Sequence, residues 1–71
     1  MTWTIRPGSW KGFYHVEVNG VSLGQFSAVN AADALALASY AFHSRTLAPF
    51  YQERADAVRL AYAAPENRIA A

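Results

Sequence analysis

Residues 14–26 read YHVEVNGVSLGQF, and this stretch decides the fold. Apolar and polar residues alternate on both sides of Asn19-Gly20, which is the pattern of two half-buried strands. Asn and Gly both tolerate positive φ, as a two-residue type I′ turn requires, and the twist of that turn matches the strands that it joins. The stretch therefore predicts a β-hairpin in which Val18 pairs with Val21.

Two arrangements of the second hairpin strand are compatible with this pattern. In a regular ladder, Tyr14 pairs with Gln25, and Phe26 lies on the face opposite to that of Val16. A bulge at Gly24 would instead return Phe26 to the face of Val16. The sequence leaves both arrangements open.

A further strand precedes the hairpin. Thr2–Arg6 alternates polar and apolar residues, with Trp3 and Ile5 on one face. Pro7-Gly8 ends this strand, because proline fixes φ and glycine permits a tight turn. The sequence thus predicts a three-stranded antiparallel sheet.

The remainder of the chain predicts two helices. Asn30 is a suitable N-cap, and Asp33 places a negative charge in the first turn of a helix with small apolar residues on one face. Pro49 ends or kinks that helix, so one kinked helix is the alternative to two separate ones. The second helix is expected to run from Pro49 to about Ala64, with Pro65 ending it and residues 65–71 forming a frayed tail.

Apolar residues form two stripes along the second helix. One stripe contains Phe50, Ala57 and Ala61, and the other contains Tyr51, Ala55, Val58 and Tyr62. A single sheet face cannot cover both, so we expect one stripe to be buried between two copies of the chain in a homodimer. Leu60 falls among polar residues. The whole chain, residues 1–71, is predicted to be one α+β domain of order βββαα, with helices covering one face of the sheet.

Composition limits the possible functions. The chain has 71 residues and no cysteine, which excludes disulfides and thiolate metal sites. It is 54% hydrophobic and only 15% charged, so apolar surface should remain for a partner. The net charge of +1 is spread along the chain and favours no class of partner. No signal pattern or membrane span is recognisable, and we expect a cytoplasmic protein.

The sequence offers little for catalysis. His15 and Glu17 share a strand face, but this spacing does not fix metal-ligand geometry as HExxH does on a helix. A Ser39, His43 and Asp33 set lacks the nucleophile elbow. The expectation is therefore a protein that is not an enzyme and has no metal or other cofactor.

Two binding functions remain. Exposed aromatic and apolar residues favour a protein partner, because Tyr, Trp and Arg often anchor interfaces. The candidate residues for this function are Trp10, Lys11, Tyr40, His43 and Leu60. The alternative is a binder of single-stranded nucleic acid that stacks bases on the sheet. The candidate residues for that function are Trp3, Arg6, Trp10, Lys11 and Phe13, although the same rings could simply form the core.

The run GFYHVEVNGVSLGQFSAVNAADALALA, residues 12–38, lies in a segment of about residues 12–41 that resembles small phage-encoded accessory proteins of the anti-CRISPR type. It shares with them an alternating strand, an Asn-Gly turn, a Gly-x-Phe second strand and a capped, Ala-rich helix. The resemblance implies a non-enzymatic inhibitor that acts by surface contact on a bacterial defence complex. Many such proteins are acidic and mimic nucleic acid, whereas this chain is slightly basic. The resemblance assigns no functional residue.

Overall fold

The structure, a computed structural model, describes the backbone of residues 1–70 and the side chains of residues 1–62. Its elements are β1 (Trp3–Pro7), β2 (Phe13–Val18), β3 (Val21–Ser27), α1 (Ala31–Ser44) and α2 (Pro49–Ala70). The strands form one antiparallel sheet in the order β1-β2-β3. The α+β class and the order βββαα are thereby confirmed.

The hairpin between β2 and β3 turns where the sequence predicted. Asn19 and Gly20 have φ values of 50° and 79°, and Val18 pairs with Val21 across the turn. Both positive φ values fit a type I′ turn, whose twist brings the strands together without splaying them.

A bulge interrupts this hairpin. Val16 pairs with Gly24 and Tyr14 with Phe26, so the register shifts by one residue relative to the turn. Of the two arrangements that the sequence left open, the bulged one is observed. The extra residue allows Leu23, which is 2% exposed, and Phe26 to face the same core despite their odd spacing. Gly24 makes this possible with a φ of 101°.

The core lies between the sheet and the two helices. α1 contacts all three strands, and α2 packs against β3. The buried side chains are Val16, Val18, Leu23, Ala34, Ala38, Phe42, Ala55 and Val58. Trp3 and Ile5 of β1 are only partly buried against this cluster, so the core is densest beneath β2 and β3.

The helices are separate, as the sequence favoured. The Asn30 side chain accepts a hydrogen bond from the Asp33 N–H (2.8 Å) at the start of α1. Arg45 ends α1 in the left-handed conformation (φ 58°), a role that glycine usually fills. The Arg45 guanidinium also donates to the Asp56 carboxylate of α2 (2.9 Å), which fastens the two helices together at this break.

The predicted end of the second helix is wrong. α2 is helical to Ala70, so Pro65 does not stop it near Ala64. A proline inside a helix removes one backbone hydrogen bond and favours a bend, but it does not oblige the helix to end. The predicted frayed tail, residues 65–71, lies outside the residues whose side chains the structure describes, and it stays a prediction. Within the residues that the structure describes, no helix is both long and apolar enough to cross a membrane.

Candidate interaction site

The loop between β1 and β2 displays an indole. Trp10 is 73% exposed. Two hydrogen bonds between Ser9 and Gln25 hold the loop around it. The Ser9 N–H donates to Gln25 Oε1, and Gln25 Nε2 donates to Ser9 Oγ, both at 2.9 Å. The Phe13 N–H donates to the Trp10 carbonyl (3.1 Å), and the Gly8 N–H donates to the Phe13 carbonyl (2.8 Å). The backbone therefore presents Trp10 in a set position.

Gly8 is required for this arrangement. A Cβ at Gly8 would overlap Gln25 Oε1, the atom that accepts from the Ser9 N–H. The sequence assigned Pro7-Gly8 to a turn but gave no sign that Gln25, sixteen residues after Ser9, would clamp the loop. Such long-range pairing depends on the strand register, which the sequence had not fixed.

Three of the candidate residues lie near Trp10. Lys11 shares its loop and is exposed, and Phe13 and Arg6 lie on the sheet face that the helices leave open. The Arg6 guanidinium is 3.5 Å from Glu17 Oε2. Because this carboxylate balances Arg6, Lys11 is the cation at this end of the sheet that has no such ion pair among the residues described.

Trp3 does not belong to this group. Its ring packs edge-on against Phe42, with centroids 5.5 Å apart, on the face that the helices cover. The nucleic-acid hypothesis groups Trp3 with Trp10 on the sheet. The alternation of β1 directs it to the opposite face instead, where it contributes to the core.

Tyr40, His43 and Leu60 lie elsewhere. The contact between Phe42 and Trp3 places the last turns of α1 at the end of the sheet remote from the Trp10 loop. Tyr40 and His43 are exposed on these turns. Leu60, which is 73% exposed, borders a shallow recess lined also by Arg45, Asp56 and Arg59. The structure therefore divides the five candidates for protein binding between two regions.

The two apolar stripes of α2 have different surroundings. Ala55 and Val58 of one stripe are buried, whereas Phe50 of the other is 60% exposed. Beside the exposed stripe, an open groove of about 680 Å³ separates α2 from the β2–β3 turn. The Arg54 guanidinium lies 4.4 Å above the Phe50 ring and covers part of it. The sequence identified the stripes but not the groove.

Leu37 also differs from expectation. On a helical projection of α1, Leu37 falls on the same side as Ala34, Ala38 and Phe42, yet it is half exposed and lines a surface recess with Val29. The buried face of α1 is narrower than the projection suggests, because Ala34, Ala38 and Phe42 already fill the space above the sheet.

One polar cluster occupies the open sheet face. His15 Nε2 lies 3.3 Å from Glu17 Oε2 and 3.2 Å from Ser22 Oγ. Serine and carboxylate thus meet the same ring nitrogen, whereas a Ser-His-acid relay uses both nitrogens of the ring. Among the side chains that the structure describes, no three from His, Cys, Asp or Glu could hold a metal ion together.

The other catalytic set considered from the sequence does not assemble. Asp33 is in the first turn of α1 and His43 is in its last turn. Ten residues of α-helix separate them by about 15 Å along the axis. Their side chains therefore cannot act on one substrate atom.

The clearest electrostatic effect lies at the junction of the helices. Hydrogen bonds from Arg45 hold the pKa of the Asp56 carboxyl below its ordinary value, and a hydrogen bond from Gln52 acts in the same direction, against partial desolvation. This site stabilises the packing of α2 on α1. It is a structural contact, and it borders the recess beside Leu60.

Comparisons with protein-family models, with curated proteins and with solved structures find no match to this chain.

Proposed function

We propose that this chain is a non-enzymatic protein-interaction module, and that it inhibits a bacterial defence complex by surface contact in the manner of anti-CRISPR proteins. The observation that carries the proposal is Trp10, which is 73% exposed on a clamped loop. Its indole adds little to the core, so its apolar area is available to a partner. The resemblance of residues 12–41 to small phage proteins suggests the class of target.

A tryptophan held in this way is suited to anchor an interface. Tryptophan is enriched among the residues that contribute most to binding, and removing such a residue costs about 2 kcal/mol or more. The hydrogen bonds from Ser9 and Gln25 order the loop before binding. A partner therefore meets a preorganised contact and does not have to order the loop itself.

Low charge gives this interface a distinctive behaviour. The chain carries a net charge of +1, and the charges near Trp10 are Lys11 and an Arg6 already balanced by Glu17. Electrostatic steering should contribute little to association. Binding that depends on Trp10 is thus expected to survive moderate salt. Tyr40, His43 and Leu60 form a second candidate contact region at the other end of the molecule.

Binding of single-stranded nucleic acid is the second candidate function. It is favoured by the position of Phe13 and Trp10 near Lys11 and Arg6 at one end of the open sheet face. Two observations weaken this function. Trp3 faces the core and cannot stack on a base at the open face, and Glu17 pairs with Arg6. With about two phosphate contacts, the log–log slope of affinity against salt would be about −0.7 per contact, and affinity would be low.

Self-association and location belong to the same proposal. We propose that the chain forms a homodimer in the cytoplasm of its host cell. Exposed apolar surface supports the dimer, since the Phe50 stripe of α2 remains exposed in a single chain and Trp3 and Ile5 of β1 are only partly buried.

Two assays decide between these functions. Titration of the protein into labelled single- and double-stranded oligonucleotides, followed by tryptophan fluorescence, should show no appreciable binding at physiological salt. Capture from a bacterial lysate should recover one stoichiometric protein with the natural sequence and with Val29→Ala, but not with Trp10→Ala. Val29 is the control because it is 87% exposed and apolar, and it lies beside the loop without belonging to it, since the Ala28 N–H donates to the Gly12 carbonyl (3.0 Å). Submicromolar oligonucleotide binding that Trp10→Ala and Lys11→Ala both abolish would reject the proposal in favour of the alternative.

A further inference from the structure

The outer edge of β1 carries backbone groups whose direction can be deduced. The Gly8 N–H donates to the Phe13 carbonyl, and the Asn19 N–H donates to the Thr2 carbonyl, at 2.8 Å each. In an antiparallel ladder, residues that exchange such bonds alternate with residues that do not. In the register of β1 with β2, Thr4 and Arg6 therefore bond to β2.

It follows that Trp3 and Ile5 direct their N–H and C=O groups away from the sheet. β1 is an edge strand, since the sheet ends with it in the order β1-β2-β3. Within the part of the chain that the structure describes, no backbone hydrogen bond from outside the sheet ladder reaches the N–H of Trp3 or Ile5. An edge of this kind is a template for pairing with another strand.

We infer that a second copy of the chain pairs with this edge, β1 against β1, in an antiparallel arrangement around a two-fold axis at Thr4. In this register, Trp3 of each copy exchanges two backbone hydrogen bonds with Ile5 of the other. The four outward groups of each copy are then all satisfied. The two sheets join into one sheet of six strands, and the homodimer of the proposed function, on which this inference rests, acquires a defined interface.

The side chains of β1 are compatible with this register. On the core face, Trp3 lies opposite Ile5 of the second copy, and aromatic residues pair well with β-branched ones across strands. Both are only partly buried in the single chain, so each gains cover from the pairing. On the open face, Thr4 meets Thr4 of the second copy, and Arg6 meets an uncharged residue, Thr2. No like charges are opposed.

Pro7 disfavours one alternative register. Because proline has no N–H, a shift of the axis toward Pro7 would lose a backbone bond on each side. Short edge strands with a proline or a charge resist open-ended aggregation. In the two-fold pairing, the β1 edge of each copy is occupied by the other copy, so the contact yields a dimer and not a fibre.

Amide hydrogen exchange tests this inference without any substitution. In isotopically labelled protein, the N–H groups of Trp3 and Ile5 should exchange slowly at high protein concentration and lose this protection on dilution. When nine-tenths of the chains are paired, their exchange should be slower by about tenfold than in the monomer. The N–H groups of Thr4 and Arg6 are internal controls, since they bond to β2 in either state. Fast, concentration-independent exchange at Trp3 and Ile5 would overturn the inference.

A cysteine substitution tests the register. The chain has no cysteine, so Thr4→Cys introduces a single thiol. Residues opposite each other in a non-hydrogen-bonded antiparallel pair have Cα atoms about 4.5 Å apart, which lies within the range of a disulfide. Thr4→Cys should therefore cross-link two copies under mild oxidation. Arg6→Cys, on the same strand and face, should cross-link at least tenfold more slowly. Equal rates for the two variants would contradict the register.

A dimer through α2 is the competing arrangement. In that case, Leu60→Glu would reduce the molar mass measured by light scattering, and the Trp3 and Ile5 amides would stay unprotected. That pair of results would overturn β1 pairing while leaving a homodimer in place. None of these measurements involves Trp10, so they fail or succeed independently of whether Trp10 anchors a protein partner.

Discussion

Substitution of Gly24 by alanine tests the bulge on which the core depends. Gly24 has a φ of 101°, beyond the left-handed region in which L-residues are tolerated. A Cβ at this position would lie 3.1 Å from Cε2 of Tyr51, a residue of α2. Gly24→Ala therefore strains the backbone and also pushes α2 away from β3.

The two effects can be separated by comparison with Gly20→Ala. Gly20 has a similar positive φ of 79°, but a Cβ there would meet nothing within 4 Å. We expect Gly20→Ala to lower the free energy of unfolding by about 1 kcal/mol, from backbone strain alone. Gly24→Ala should lower it by about 3 kcal/mol, because greater backbone strain and close packing against Tyr51 add to one another.

Urea denaturation followed by tryptophan fluorescence measures both variants, since the Trp3 ring packs in the core against Phe42. A double-mutant cycle adds a further check. In a Tyr51→Ala background, Gly24→Ala should lower the free energy of unfolding by about 1 kcal/mol less than in the natural sequence, because the ring that it crowds is gone. If Gly24→Ala costs no more than Gly20→Ala, the bulge and the packing of Tyr51 over it are not as described.

Three further predictions concern local contacts. Gly20→Val should destabilise the fold by about 1–2 kcal/mol, because a β-branched residue is strained at positive φ; an unchanged denaturation midpoint would rule out the type I′ turn. Asn30→Ala should cost about 1 kcal/mol in the same assay, since it removes the N-cap of α1, whereas an unchanged midpoint would mean that the cap adds nothing. Arg45 lowers the pKa of the Asp56 carboxyl from 3.8, so its contribution to stability is present above that pH and is lost as the pH falls through the lowered pKa. Asp56→Asn should flatten the pH dependence of stability below about pH 4, and an identical profile would contradict this.

The sequence predicted the elements that depend on local chemistry. Asn19-Gly20 specified the turn, Asn30 specified the start of α1, and alternation identified all three strands. It was less informative where two distant segments meet. Whether the hairpin is bulged at Gly24 depends on placing both Leu23 and Phe26 in one core, which only the packed structure decides.

The candidate site shows the same division. Exposure of Trp10, Tyr40 and Leu60 agrees with their being surplus to the core, as composition suggested. Alternation placed Trp3 and Ile5 on one face of β1, but which face the helices cover depends on how the strands and helices pack, and Trp3 lies on the covered face. The clamp between Gln25 and Ser9 could not be anticipated, since it joins the β1–β2 loop to β3, whose register was open.

The most direct test of the central proposal is the affinity of a purified partner for Trp10→Ala. Isothermal titration calorimetry should show a loss of about 2 kcal/mol, or about thirtyfold in Kd, relative to the natural sequence. Val29→Ala should bind the partner with the affinity of the natural sequence. The affinities of Val29→Ala and of the natural sequence should not fall steeply with salt. Equal affinity of Trp10→Ala and Val29→Ala for the partner would contradict the proposal that the indole on the clamped loop anchors the interaction.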